Sequence, residues 1–139
     1  MTKYIEKESV AVVGEETPLL VELSANENIS LILKCHYRFS IKKAEKESKK
    51  LLQKCGYEEI NDKKPFKLTK KEKLIVQYIR AYVSKFDKIA VIKPFSLIES
   101  IGDIEELYKL SKIFEDKEME ILDTLKHDFY EEKRCHIIK

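Results

Sequence analysis

The sequence predicts an α/β fold, and the stretch Pro65 to Glu99 carries the prediction. Thr69 followed by Glu72 has the spacing of a capping box, in which the two side chains satisfy free N–H groups at a helix start. Behind it, Leu74, Ile75, Tyr78, Ile79 and Tyr82 recur at the spacing of one helix face. The polar turn Ser84 to Lys88 ends that helix. The short apolar run Ile89, Ala90, Val91, Ile92 follows and is stopped by Lys93-Pro94, the pattern of a buried strand. Helix, tight turn, buried strand and the loop Pro94 to Glu99 form an α/β crossover unit.

The 139 residues suit one domain with one core. Charged residues make up 37% of the chain, yet the net charge is only +2, so acids and bases are interleaved along solvated faces. No apolar run approaches the ~20 residues of a membrane-spanning helix. The start, Met1 to Ser9, lacks the apolar core of a signal peptide. The expected location is therefore the cytoplasm. Cys35, Cys55 and Cys135 are odd in number and widely spaced, which fits reduced thiols.

Taken in order, Ser9 to Val13 is an apolar run closed by Gly14 and reads as a first strand. Glu15, Glu16, Thr17 and Pro18 form a loop, and Leu19-Leu20 return to apolar. Ser24 or Asn26 can cap a helix carrying Ile29, Leu31, Ile32 and Leu33. Ser40 reads as the N-cap of the next helix, Ile41 to Lys54, with Ala44, Leu51 and Leu52 inward and Gly56 as its stop. Lysines crowd the segment 42–73, but Glu45, Glu47, Glu58, Glu59, Asp62 and Glu72 dilute them and few aromatics interleave. A solvated face is preferred to a nucleic-acid patch. Gly102-Asp103 starts another helix, with Asp103 and Glu106 at capping-box spacing and Ile104, Leu107, Tyr108 and Phe114 on its apolar face. Ile121 to Leu125 is a weaker strand candidate, and Ile137-Ile138 a weaker one still. Cys35-His36 and Cys135-His136 lie too far apart for the repeated short spacing of zinc sites, so no metal is expected.

These elements resemble the ATP-binding subunit of an ABC transporter. Pro65, Phe66, Lys67, Leu68 and Thr69 match the approach to that family's signature helix, and Ile79-Arg80-Ala81 its end. Pro94, Phe95, Ser96, Leu97, Ile98 and Glu99 match the D-loop, and His127-Asp128 the switch histidine and its neighbour. Leu23, Ser24, Glu27, Asn28 and Ile29 match the segment after the Q-loop, whose glutamine aligns with Glu15. The order of motifs is kept over nearly the whole chain. The resemblance implies a partial P-loop NTPase, a parallel sheet with a helical subdomain. It would be one N-terminally truncated domain over residues 1–139, with the helical subdomain at about 24–84 and the sheet at 9–20 and 85–139.

The letters that carry the family's chemistry differ. ATP hydrolysis needs a phosphate cradle, a metal and a positioned water. None of the three glycines, Gly14, Gly56 and Gly102, lies in a GxxxxGK[ST] loop. Ile92 stands where the Walker B aspartate supports the metal, and Lys93 where a glutamate polarises water. Lys70 and Lys71 replace two signature glycines, with Glu72 beside them, and their side chains would obstruct a phosphate. His127, without a nucleotide, is read as a structural residue. The implied protein is a noncatalytic scaffold or adaptor with no cofactor and no metal. By the same resemblance, Val13, Glu15, Glu16, Pro18, Leu19, Leu20 and Glu27 would meet a protein partner. That partner would be the coupling helix of a membrane subunit, or another ABC-like subunit, at the inner face of a membrane. Loss of the Walker A strand would leave a sheet edge open near Val10–Val13 or Ile89–Ile92 unless the tail 129–139 covers it. The rival reading is a small nucleic-acid-binding regulator using the helix around 69–84. A third, an active enzyme completed by another chain's Walker A loop, is opposed by Ile92 and Lys93.

Overall fold

A computed structural model of the protein describes residues 10–92 and 101–122. Lys93, the D-loop match Pro94 to Glu99, His127, Cys135-His136, Ile137-Ile138 and the tail lie outside the described residues.

Strand β1 spans Val10–Val13. Helix α1 (Ala25–Tyr37) follows, with Ser24 as its N-cap: Glu27 N–H donates to Ser24 Oγ at 3.1 Å and Ser24 N–H to Glu27 Oε1 at 2.9 Å. Ser24, not Asn26, therefore starts the helix, because only Ser24 has its partner carboxylate three residues on. Helix α2 (Ile41–Lys54) is capped by Ser40 and stopped by Gly56, whose φ of 84° is the left-handed geometry that favours glycine. Two short 3-10 turns, Glu58–Ile60 and Pro65–Lys67, lead into α3 (Lys70–Tyr82). The box expected at Thr69 and Glu72 is present in both directions, at 3.1 and 3.0 Å. Strand β2 (Lys88–Ile92), helix α4 (Ile101–Ile113) and strand β3 (Glu118–Leu122) complete the described chain.

The strands form a parallel sheet in the order β1-β2-β3, with Val13 opposite Val91 and Val91 opposite Ile121. Two sequence-based boundaries move. Strand β3 begins at Glu118, because Glu118, Met119, Glu120 and Ile121 alternate polar and apolar, and Met119 and Ile121 reach the core while the glutamates stay exposed. Helix α4 begins at Ile101, so Asp103 lies inside its first turn and not at its cap. A third correction concerns the open edge: β2 is the central strand, paired on both sides, so Ile89–Ile92 offers no edge to another chain.

Helix α3 lies against β1 and β2 and is itself the centre of the core. Residues Leu74 to Ile79 are all buried. The polar residues of α3, Lys70 to Lys73 with Arg80, lie exposed or half-buried around that core face. Tyr78 stacks on Phe114 at 6.4 Å, and Tyr82 meets the same ring at 4.4 Å. Leu107, Leu110 and Phe114 bring α4 and the turn after it into this cluster with Leu52 and Ile60.

His36, at the end of α1, ties the helices to the turn before β2. Its Nδ1 accepts the Lys85 backbone N–H at 3.1 Å, so the ring is neutral there, and its edge meets Phe86. Partial burial, then the nearby Lys85 and Lys117 charges, lower its pKa from the usual 6.5.

Two expectations follow. Phe114→Ala should cost about 3–5 kcal/mol, read from urea unfolding, because the ring is fully buried among large side chains. For His36, the folded state binds a proton less readily than the unfolded one. Its contribution is therefore present above pH 6.5 and lost as pH falls from there toward the lowered folded value. Urea midpoints at neutral and mildly acid pH should show that loss, and His36→Ala should remove that part of the pH dependence.

Candidate functional site: the loop after β1 and its groove

Parallel strands deliver their C-terminal ends to one edge of a sheet, where α/β proteins place their sites. Here that edge carries Gly14 after β1 and Ile92 at the end of β2. The two touch: a Cβ on Gly14 would sit 3.4 Å from the Ile92 carbonyl oxygen. From Gly14 the chain turns sharply. Thr17 Oγ1 accepts from Gly14 N–H at 3.1 Å and is within 3.1 Å of the Val12 carbonyl, to which it donates.

The next carbonyls face α3. Arg80 donates from Nη1 to the Pro18 carbonyl at 3.0 Å and from Nη2 to the Thr17 carbonyl. Gln77 Nε2 donates to the same Thr17 carbonyl at 3.2 Å. Burial lowers the Arg80 pKa, but a guanidinium stays charged in a protein. The far end of the loop is held by Asn28, which is almost fully buried. Its Oδ1 accepts from Leu20 N–H at 2.8 Å, and its Nδ2 reaches the carbonyls of Leu20, Leu23 and Ser24 at 3.0–3.2 Å.

So held, the loop forms one wall of a groove of about 360 Å³. Pro18, Leu19, Val21, Pro65 and Leu74 make it apolar, while Lys70 and Lys73 stand on the α3 side and Glu15 on the other. Gln77 also lines it; its Oε1 is buried and accepts no hydrogen bond from the described residues. Exposed apolar residues lie on the same segments: Leu20 is 48% exposed, Val21 67%, and Phe66, next to Pro65 in sequence, 76%.

The residues singled out in the sequence divide accordingly. Glu15, Pro18 and Leu19 meet Lys70 in the groove. Glu16 and Leu20 are exposed on the same loop. Val13 is fully buried in the core and supports the loop from beneath, so it presents no surface to a partner. Glu27 lies apart, in a second groove of about 610 Å³ with Lys42, Lys46, Lys49, Asp62 and Lys64, and its carboxylate is engaged by the Ser24 cap. Lys71 is half-buried beside Lys70, outside the groove, and Glu72 caps α3. Ile92 is buried with Val10 and Ala90.

Arg80, Gln77 and Asn28 did not stand out as holding residues. Gln77 had one signal: it is a polar residue three after Leu74 on the stripe of a buried helix. Asn28 and Arg80 were visible only as letters of a motif, because their carbonyl partners belong to a loop with no periodicity.

A nucleotide and its magnesium do not fit these residues. The metal needs oxygen ligands, and Ile92 supplies none at the strand end. Under the resemblance, Lys70 and Lys71 would stand where a phosphate needs close backbone. Among the described residues no three His, Cys, Asp or Glu side chains gather as a metal site, and His36 spends its Nδ1 on Lys85. Burial pushes the Cys55 thiol up to about 12, which leaves it unreactive. No described helix is long and apolar enough to cross a membrane.

Comparison with known proteins supports the architecture. No family model and no curated protein matches the chain. Among solved structures it is similar to the ATP-binding cassette MJ0796, seen as a dimer in a post-hydrolysis state with ADP and Pi. The TM-score is 0.68 at 23% identity, over 88% of this chain. The chain spans about half of that protein's length, 54%. The class is thus an α/β fold of the ABC ATPase type, a three-stranded parallel sheet with helices, and the likeness establishes the fold alone.

The clamp is testable. Arg80→Met should leave the core standing but weaken amide-exchange protection across residues 14–20, by roughly 1–3 kcal/mol for the buried acceptors left behind. Protection in α3 and β2 should change little.

Proposed function

We propose that the protein is a noncatalytic ABC ATPase-like scaffold or adaptor subunit in a membrane-associated assembly, docking a protein partner in the groove between the β1–α1 loop and α3. The observation that carries the proposal is the groove itself. The position aligned with the Q-loop glutamine and the position of a signature glycine face each other as Glu15 and Lys70, across an apolar trough with exposed Leu20, Val21 and Phe66 around it. An apolar patch of this kind marks an interaction surface. The residues aligned with the family's chemistry, by contrast, are apolar or basic: Ile92 is buried in a small sheet cluster and Lys70 and Lys71 occupy the glycine positions. Packing persists where phosphate chemistry has no support. On this reading the protein resides in the cytoplasm and reaches the membrane's inner face through its partner.

Native copurification followed by identification of bound proteins tests the role. The expected result is recovery of a membrane subunit or another ABC-like subunit, lost when Val21→Asp places a charge on the exposed wall. Recovery unaffected by that change overturns the assignment of the groove.

The enzyme question has its own test. Calorimetry with Mg·ATP should show no saturable binding, and phosphate release should stay at background. Ile92→Asp with Lys93→Glu should not create an ATPase, and the buried aspartate should cost a few kcal/mol, roughly, in stability. Micromolar ATP affinity, or turnover by the double variant, contradicts the proposal.

A further inference from the structure

The groove's charges say what kind of segment it takes. This step rests on the reading of the groove as a docking site. Lys70 and Lys73 lie one turn apart on α3, on the same side of the trough. Neither forms an ion pair among the described residues, whose ion pairs are Lys50–Glu47 and Lys88–Glu118. Among the described residues Glu15 is the one acid lining the groove. The floor has a second open valence, the Gln77 Oε1 that accepts nothing among the described residues although Gln77 is only 5% exposed.

A segment laid in the trough covers the exposed Pro18 and Val21 over the buried Leu19, Pro65 and Leu74, and strips water from the ammonium groups beside them. An ammonium shielded from water without a counter-charge is penalised, and the penalty falls on occupants that bring none. A basic segment would meet two like charges for one opposite charge. An acidic side chain meets both lysines at once, and its attraction grows as the groove closes over it.

We propose that the groove's occupant is an apolar protein segment anchored by a carboxylate against Lys70 and Lys73. The lysines then select the partner, and the apolar wall supplies the bulk of the contact area.

The test pans a random peptide library displayed on phage against the purified full chain and measures the enriched peptides by fluorescence anisotropy. The expected peptides carry Asp or Glu flanked by apolar residues and lose binding to Val21→Asp. Replacing their acid by Asn or Gln, or changing Lys70→Ala with Lys73→Ala, should weaken them about tenfold and flatten their salt dependence. Lys42→Ala with Lys46→Ala, in the second groove, should leave their affinity unchanged. Peptides that lose binding to Val21→Asp but show no acid preference, or ignore the Lys70 and Lys73 changes, overturn the carboxylate anchor while the docking groove stands. If every enriched peptide binds Val21→Asp as well as the unaltered chain, the docking reading falls and the anchor with it.

Discussion

Two carbonyls in a loop, those of Thr17 and Pro18, set the shape of the surface. They leave the sheet with no strand to pair with, and a carbonyl turned toward the protein must find a donor. Arg80 and Gln77 of α3 supply the donors. Because α3 is also the buried centre of the core, the loop is fastened to the core itself. Thr17 Oγ1 ties the loop back to β1, and Asn28 ties its far end to α1. These three anchors fix the loop that forms one wall of the groove.

The sheet is held together by apolar packing along its central strand. The central strand β2 is apolar from Ile89 to Ile92, and the two flanking strands pair with it in parallel. Parallel pairing of buried strands rewards β-branched and aliphatic residues at every position, including the last. An acid at a strand end costs stability unless a metal or a partner holds it. Ile92 is the low-cost occupant of that position when no metal is held, and it packs with Val10 and Ala90. The same reasoning applies at α3, where lysines in the first turn are ordinary helix residues and glycines would weaken the start.

Charge is distributed with equal economy. The lysine-rich α2 buries only Ala44, Ser48 and Leu52 and leaves its basic residues in solvent, among acids that bring the net charge close to neutral. Near the other end of the domain, Tyr82 donates to the Asp116 carboxylate and Lys117 to the Ser84 carbonyl, closing the turn between α4 and β3 onto the end of α3. These contacts brace the sheet side of the molecule, whereas the loop after β1 keeps its apolar side chains outward.

Much of this was legible from the chain alone. The capping box at Thr69, the stop at Gly56, the periodicity of α3 and the apolar run of β2 depend on near neighbours in the chain, so local sequence determined them, while the choice of Ser24 over Asn26 as the cap of α1 came from the structure. Local sequence could not rank the strands: that β2 is central and β1 and β3 lie on either side follows from pairing between segments some 30 to 80 residues apart. It placed β3 too late, because two glutamates at a strand start read as polar until the pairing partner shows which side faces the core. Nor could it separate Glu27 from Glu15, both near one motif, since only the packing of α1 on α2 sends Glu27 to another groove. Local hydrogen bonds and periodicity write the elements into the sequence, while the donors that fasten a loop, and the groove that loop encloses, come from residues about 60 positions away and are decided only when the chain closes on itself.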